Sequence, residues 1–458
     1  MKFLIFALTI LVSAFASIDG KEVVCYVDTS SAAGYQLVSS IKPNICTMID
    51  LAFAAVDSNG QILASKVPNL SNFLKYKGTA VAPKMLLSIG GAADWQSLQN
   101  FAAISKSAAL RDAFANSCLN TCKQYGLSGI DVDWEFPSSS DRANFVLLLK
   151  AVKAKLGPAG YLLTVAVGAS NWWAVNSGGL DVAGVGAVVD YVKLMTYDFH
   201  ANAEWDRSFG LYFNAPLDDE AGRDSIKNSL RIFSSVPSTK LILGLPLYGN
   251  AYVTSGSNSV GASYSTQWPS TGTTPSYNQI CSLSSMTKVS GTYPQWTPYM
   301  YGNGLWISYE DTVSVKNKAS LVNTNNLGGV MVWSLEKDDQ TGACSSCPFP
   351  LMRAINNAVG RNVDCTFTIS GSVTTSAPPP QEPTTTKTTT TTSSSGGGSG
   401  GGSGTIEICS SVGLFKYPAD CSKYYQCAYE GYPPYIQNCQ TGLYWNNAMK
   451  YCDWNCID

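Results

Sequence analysis

The sequence has a single histidine and few charged side chains, and both shortages narrow the possible functions. His200 is the only histidine among 458 residues, so a histidine-based metal centre is not indicated, and we expect no metal and no cofactor. Charged residues make up 14 % of the chain and the formal net charge is −2, so we expect neither nucleic acid nor an anionic membrane as a partner. A neutral polymer fits better, because 11 % of the residues are aromatic and aromatic faces bind neutral sugars.

Apolar runs long enough to cross a membrane are also missing. The run from Phe3 to Val12 is too short to span a bilayer, and Ala14 and Ala16 supply a small-x-small cleavage pattern. We therefore expect residues 1–16 to be a signal peptide and the mature protein to be a secreted, extracellular monomer. Fourteen cysteines agree with an oxidising compartment, and Asn69 lies in an N-x-S/T glycosylation sequon.

Short β-forming runs alternate with helical segments, which indicates parallel strand pairing. Eight strands are predicted, near Glu22–Val27, Met48–Ala54, Lys84–Ile89, Gly129–Trp134, Leu162–Gly168, Tyr191–Thr196, Lys240–Leu245 and Gly328–Trp333. Helices are predicted between them, among them Ala108–Tyr125, Arg142–Leu156 and Asp219–Phe233. The pattern predicts an α/β fold, a (β/α)₈ TIM barrel over residues 17–370, with a doubly wound open sheet as the alternative.

One connection is too long for a simple loop. Residues from about 250 to 305 are rich in Ser, Thr, Gly and Tyr, and we expect a small α+β insertion after the seventh strand. Residues 371–405 are Pro/Thr/Ser/Gly-rich and predict a linker with an O-glycosylated stalk.

Residues 406–458 form a small module dense in cysteine. Its six cysteines predict a disulfide framework in a small β module, since zinc ligation would require histidines or paired C-x₂-C motifs. They are Cys409, Cys421, Cys427, Cys439, Cys452 and Cys456. A module of this size cannot bury all its aromatic residues, so some of them must be exposed, and exposed aromatic residues mark a binding face. The candidates are Tyr424, Tyr425, Tyr444 and Trp445.

The fourth predicted strand carries three alternating carboxylates. In an extended chain, Asp131, Asp133 and Glu135 share one face, while the residues between them are apolar. Taken alone, the pattern also fits a surface strand with an acidic stripe, or a calcium site. Buried carboxylates instead have to share protons, accept hydrogen bonds or take part in chemistry.

Five motifs, in order along the chain and at strand ends, resemble glycoside hydrolase family 18. The stretch Ser128–Pro137 is similar to its D-x-x-D-x-D-x-E signature followed by an aromatic residue and proline. The other four are Leu86–Gly91, Met195–Asp198, Gly244–Gly249 and Gly328–Trp333, which resemble the family's third, sixth, seventh and eighth strand motifs. The resemblance covers roughly residues 22–360 and implies a barrel with an insertion that deepens the substrate groove.

The resemblance implies a substrate-assisted retaining mechanism. Glu135 would be the general acid and base, with a pKa raised towards the working pH. The N-acetyl oxygen of the substrate would be the nucleophile, because this family is an exception to the two-carboxylate scheme. Asp133 would orient the acetamide, Asp131 would share a proton with Asp133, and Tyr197 would donate a hydrogen bond to the acetamide carbonyl.

Further residues would line the sugar site. Trp333 would form its floor, although Trp333 and Met195 also fit plain core positions. Trp95 would either stack on a distant sugar or pack internally, and His200 is expected to be structural. The full expected substrate-binding set is Phe53, Trp95, Met195, Asp198, Tyr248 and Trp333.

Two positions depart from the family pattern. Ser128 replaces its first Asp, the residue that we take to anchor the proton of the middle Asp, so we expect activity with a shifted pH profile. Asn250 replaces an Arg, which removes one expected substrate contact.

The resemblance also implies three disulfides, Cys25–Cys46, Cys281–Cys344 and Cys347–Cys365. Cys118 and Cys122 then remain. They lie one helical turn apart, where Cβ atoms are about 5–6 Å apart, whereas an unstrained bridge requires about 3.5–4.5 Å.

The terminal module resembles carbohydrate-binding module family 14, the peritrophin-A type chitin-binding domain. Its cysteine spacing and the run Lys423–Cys427 support the resemblance. Together the two resemblances imply a secreted chitinase acting internally on chitin or another N-acetylglucosamine polymer. The alternatives are a chitin-binding lectin that has lost turnover, although such proteins lack the equivalent of Glu135, and a structural matrix protein that decorates chitin.

Overall fold

The computed structural model divides the chain into two units, residues 1–374 and 375–458. In the first it describes residues 20–38, 44–68, 70, 83–92, 94–254, 256–265, 269, 272–363 and 365, and in the second residues 413–416, 422–427, 435–438, 444–446 and 451–453. The expected signal peptide, the sequon at Asn69, the linker, and Cys409, Cys421, Cys439 and Cys456 lie outside the described residues.

The first unit is a closed barrel of eight parallel strands. In chain order, barrel strands one to eight are Glu22–Asp28, Met48–Val56, Lys84–Gly90, Gly129–Asp133, Leu162–Gly168, Tyr191–Met195, Leu241–Pro246 and Gly329–Trp333. Each pairs with its neighbours, and the first strand pairs with both the second and the eighth, which closes the ring. A two-residue strand, Ile62–Leu63, adds antiparallel to the second. The predicted (β/α)₈ barrel and its eight strands are confirmed, and the open sheet is excluded.

Helices follow the barrel strands and cover the outside. They are Ala32–Val38, Trp95–Lys106, Ala108–Tyr125, Arg142–Leu156, Val182–Val188, Ile226–Ile232, Thr312–Ala319, Leu321–Thr324 and Pro350–Ala358. The helix predicted over Asp219–Phe233 begins only at Ile226, capped by the Ser225 side chain. The preceding residues form a turn instead, because the Asp219 carboxylate accepts hydrogen bonds from Tyr212, Ala221 and Arg223.

The insertion after the seventh barrel strand is an antiparallel sheet with one short helix. Its strands are Asn250–Val253, Thr287–Val289, Tyr299–Gly302 and Leu305–Ser308, and its helix is Tyr277–Cys281. This is the expected α+β insertion.

Alternation along the strands separates two environments. On the fourth barrel strand, Ile130 and Val132 pack in the large apolar core under the helices. Asp131 and Asp133 point into the barrel, where the apolar residues form a small cluster that includes Tyr26 and Met331. The neighbouring strands place Ser88 and Thr164 directly beside Asp131. The barrel interior therefore contains a polar layer that the apolar outer face does not share.

Three disulfides form in the first unit, and they are the pairs that the family resemblance implies: Cys25–Cys46, Cys281–Cys344 and Cys347–Cys365. Cys118 and Cys122 are buried free thiols on the helix Ala108–Tyr125. Burial raises the pKa of Cys122 to about 12, so its thiol stays protonated.

The second unit contains two small antiparallel sheets. One is built from Gly413–Lys416, Lys423–Cys427 and Tyr435–Asn438, and the other from Tyr444–Asn446 and Tyr451–Asp453. Its candidate aromatic residues all lie on these strands. In the part of the chain that is described, none of the helices has the length and apolar character needed to cross a membrane.

Candidate active site

A cavity of about 360 Å³ opens where the barrel strands end. This is the face on which barrel enzymes carry their active sites. Seven of the ten predicted catalytic and substrate-binding residues of the barrel line it: Phe53, Asp133, Glu135, Met195, Tyr197, Asp198 and Trp333. Of the other three, Asp131 lies inside the barrel and Tyr248 supports Asp198, while for Trp95 only the backbone is described.

Glu135 lies two residues beyond the end of the fourth barrel strand and lines the cavity. Burial and, to a smaller extent, the negative charge of the nearby Asp198 raise the pKa of its carboxyl to about 7, although a hydrogen bond from the Ala92 backbone amide acts in the opposite direction. A carboxylic acid with this pKa is protonated at mildly acidic pH and loses its proton near neutrality. It can therefore give up a proton and take it back in one reaction cycle.

Asp133 is buried between Glu135 and Asp131. Burial raises its pKa well above the ordinary value, and the negative charges of Glu135 and Asp131 act in the same direction. Its Oδ1 atom is buried and has no hydrogen-bond partner among the described residues. A protonated carboxyl group that lines the cavity with a free oxygen can bind a polar group of a ligand.

Asp131 is surrounded by donors. Its Oδ2 accepts hydrogen bonds from Tyr26 Oη (2.6 Å) and Ser88 Oγ (2.8 Å). Its Oδ1 accepts from Thr164 Oγ1 (2.6 Å) and Lys193 Nζ (3.0 Å). Burial would raise its pKa, but Lys193 and the three hydroxyl groups together hold it below the ordinary value. No hydrogen bond joins Asp131 to Asp133 in the described part of the chain, so the expected proton sharing between them is not seen as a direct contact.

The proton-anchoring role expected for position 128 is wrong. Ser128 immediately precedes the fourth barrel strand, and its hydroxyl accepts a hydrogen bond from the Met85 backbone amide (3.1 Å). Five residues of extended chain put it about 16 Å from Asp133. The carboxylate of this strand whose charge acts on Asp133 from the barrel side is that of Asp131, whereas Ser128 lies at the far end of the strand.

Aromatic rings form one wall and the floor of the cavity. Trp333 ends the eighth barrel strand, stacks on Phe53 with 5.5 Å between ring centroids, and meets Tyr26 edge-on at 5.7 Å. The Tyr197 hydroxyl faces the acidic group: burial and the charges of Asp133 and Glu135 raise its pKa well above the ordinary value, so it remains a donor.

Asp198 is held by two residues that follow the seventh barrel strand, Tyr248 and Asn250. Tyr248 Oη donates to its Oδ2 (2.8 Å), and Asn250 Nδ2 lies 3.3 Å from its Oδ1. Asn250 also donates to the His200 carbonyl oxygen (2.8 Å). Asn250 is therefore a buried support for Asp198. His200 is also buried, and its Nδ1 lies 2.9 Å from Asp206 Oδ1.

Sequence reasoning missed an aromatic shelf at the edge of the cavity, formed by Phe136, Trp172 and Trp173. Phe136 and Trp173 stack with 4.0 Å between centroids, and both line the cavity. Trp172 and Trp173 begin the π-helical turn Trp172–Asn176 and are 58 % and 40 % exposed. Two adjacent tryptophans that begin four residues after the end of the fifth barrel strand were the available signal.

Sequence reasoning also missed the donors around Asp131 and a buried ion pair. Lys193 of the sixth barrel strand contacts both Asp131 and Asp50, and all three are fully buried. Polar residues at inward positions of Val-rich strands were the signal here. Among the described residues, no group of three or more metal-ligating side chains is arranged to hold an ion.

Comparison with known proteins agrees with this geometry. The family model "Glycosyl hydrolases family 18" matches residues 22–338, and the model "Chitin binding Peritrophin-A domain" matches residues 409–457. The chain is similar to Chitotriosidase-1 of Mus musculus, with 28 % identity over 95 % of this chain and 96 % of the relative. It is 30 % identical to Probable chitinase 2 of Drosophila melanogaster, over 75 % of this chain and 81 % of the relative. The crystal structure of the Ostrinia furnacalis Group IV chitinase aligns with a TM-score of 0.68 and 29 % identity, covering 74 % of this chain and 99 % of that one.

Proposed function

Because the chain belongs to glycoside hydrolase family 18 and carries a peritrophin-A chitin-binding domain, we propose that it is a secreted chitinase that cleaves chitin internally. That it is a glycoside hydrolase follows from the family. The observation that carries the choice of substrate is the pairing of Glu135 with Asp133 and Tyr197 above the Trp333 floor, together with the chitin-binding domain in the same chain.

In the first step, Glu135 donates its proton to the glycosidic oxygen while the bond from that oxygen to the anomeric carbon breaks. The acetamide oxygen of the same sugar attacks the anomeric carbon from the opposite face and forms a cyclic oxazolinium ion. Tyr197 donates a hydrogen bond to the acetamide oxygen, and Asp133 binds the acetamide nitrogen through its free oxygen. Trp333 supports the apolar face of the distorted sugar.

In the second step, ionised Glu135 removes a proton from water, and the resulting hydroxide attacks the anomeric carbon and opens the oxazolinium ring. Glu135 is then protonated again. Two inversions at one carbon give net retention of configuration. Only one acid is required, which agrees with the position of Asp131 inside the barrel rather than along the cavity.

The aromatic shelf extends this arrangement along the polymer. Stacked and exposed indole rings bind the apolar faces of neutral sugars, and the shelf begins at Phe136, the residue that follows the acid. We expect it to hold sugars adjacent to the cleaved linkage. The terminal module would keep the barrel at the polymer surface by raising its local concentration there.

Cleavage of a soluble chitin oligomer by the wild type and by Glu135→Gln tests the proposal. We expect products from the wild type only, with the anomer released first having the configuration of the substrate linkage. Binding of the oligomer without turnover by both proteins would favour a lectin. Equal turnover by both would rule out Glu135 as the acid.

A further inference from the structure

A lysine lies inside the barrel, directly beneath the acidic group. Lys193 is fully buried, its Nζ donates to Asp131 Oδ1 at 3.0 Å and to Asp50, and it lies 5.1 Å from the centre of the Tyr26 ring. Lysine is almost never fully buried without a partner, because removing its ammonium group from water is costly. Here one of the two partners is Asp131, which lies on the fourth barrel strand, the strand that leads to Glu135.

The donors around Asp131 determine its protonation state. Three hydroxyl groups and one ammonium group direct hydrogens at its two oxygens. An ionised carboxylate accepts at both oxygens, whereas a protonated one would bring its own hydrogen against one of these donors. Asp133 Oδ1 has no such partner.

We infer that Lys193 is a positioning residue that acts through Asp131: it keeps Asp131 ionised, so that the proton which the two adjacent aspartates hold stays on Asp133. The inference rests on the proposed function of Asp133 and Glu135. Asp50 has a separate role, since it supplies a second negative group that holds the lysine inside the barrel.

The two carboxylates beside Lys193 differ because their donors differ. Burial raises the pKa of Asp50 to about 7, while the pKa of Asp131 is lowered. Asp50 accepts only from Lys193, and its Oδ1 is unpaired among the described residues. Asp50 therefore takes up a proton more readily than Asp131 does, and once it has done so the lysine charge is directed at Asp131 alone.

The titratable groups that face this lysine come from three other strands. Tyr26 lies on the first barrel strand, Asp50 on the second and Asp131 on the fourth, with Asp133 farther along the fourth. Glu135 adjoins Asp133 but is not in contact with the lysine. Loss of the ammonium group should therefore act mainly on the aspartate pair.

The pH dependence of kcat on a soluble chitin oligomer, measured on the full chain, tests this. In Lys193→Met, loss of the cation favours protonation of the aspartate pair, so the acidic limb should move to higher pH by about 1–3 units. A fully protonated pair offers no negative charge to the oxazolinium ion, so kcat falls there. The alkaline limb, set by Glu135, should move much less.

Two further variants separate this effect from a loss of stability. Asp50→Asn/Lys193→Met removes the unpaired Asp50 carboxylate, so it should recover part of the thermal stability while its acidic limb stays displaced. Lys318→Met removes another fully buried lysine, which lies on the helix Thr312–Ala319 and contacts Glu310 and Thr297. This control should destabilise the protein and leave the acidic limb where the wild type has it. An acidic limb that is unmoved in both Lys193 variants, or moved as far in Lys318→Met, would overturn the inference.

A readout without turnover separates this inference from the proposed function. The infrared carbonyl absorption of protonated Asp133 is the component that the wild type has and Asp133→Asn lacks, and this component should be altered in Lys193→Met. A wild type without turnover that shows this pattern would contradict the proposed function and support the role of Lys193. If Lys193→Met leaves the carbonyl absorption of Asp133 unchanged, the role of Lys193 is contradicted, whether or not the wild type turns over the oligomer.

Discussion

The Tyr26 hydroxyl of the first barrel strand donates a hydrogen bond of 2.6 Å to Asp131 of the fourth, from one side of the barrel interior to another. Both residues are buried. The bond joins strands that are not neighbours in the sheet. It therefore links the closure of the barrel to the ionisation of a carboxylate in the fourth barrel strand.

Tyr26→Phe should destabilise the protein in a pH-dependent way. A hydrogen bond to a charged group contributes about 1.5–3 kcal/mol, and that much should be lost near neutral pH. Because the pKa of Asp131 in the folded protein is below the ordinary value, its ionised form stabilises the fold above that value, and this contribution disappears as the pH falls through the lowered pKa. Urea unfolding of the two proteins should therefore differ near neutrality and converge in acid. Tyr35→Phe, at an exposed tyrosine, is the control, and a difference that persists unchanged in acid would contradict the explanation.

Glu135→Gln should reduce kcat by about 100- to 10,000-fold, the usual contribution of a general acid. In the wild type the acid must be protonated, and its pKa is raised to about 7, so kcat should fall as the pH rises through about 7. Oligomer binding should be retained, because glutamine keeps the shape of the side chain. Glu220→Gln, at an exposed glutamate, should match the wild type. A wild-type kcat that stays level well above neutral pH would show that another group supplies the proton.

Much of this site could be predicted from local pattern. Alternation put Asp131 and Asp133 on one face, and motif order put Glu135, Tyr197 and Trp333 at strand ends. The contacts of Tyr26 and Lys193 with Asp131 could not be predicted in this way, because they depend on the tilt and stagger of the strands around the closed barrel. The role expected for Ser128 was wrong for a related reason. A motif gives only the spacing of residues along a strand, and Ser128 lies at the end of the fourth barrel strand that is far from the cavity.

The aromatic shelf should matter more for long substrates than for short ones. Removal of one exposed stacking ring in Trp172→Ala should cost roughly 0.5–1.5 kcal/mol of binding, which raises KM by about 2- to 10-fold. Oligomers too short to reach the shelf should be cleaved as by the wild type. Measurement of kcat and KM over a series of oligomer lengths checks this, with the exposed Tyr293→Ala as the matched control. An equal effect at every length would mean that the shelf acts on the cavity itself.

Deletion of residues 406–458 should separate binding to the polymer from catalysis. The barrel contains all the residues that line the cavity, so kcat and KM for soluble oligomers should be unchanged. Retention on insoluble chitin should fall, because the tether that raises the local concentration of barrel is gone. Sedimentation with chitin and product release from the same suspension measure the two effects together.

Replacement of Tyr424, Tyr425, Tyr444 and Trp445 by alanine in the full chain should reproduce the loss of retention if these aromatic residues form the binding face. If the deletion variant is retained as well as the full chain, the cavity and the aromatic shelf are sufficient to hold the polymer.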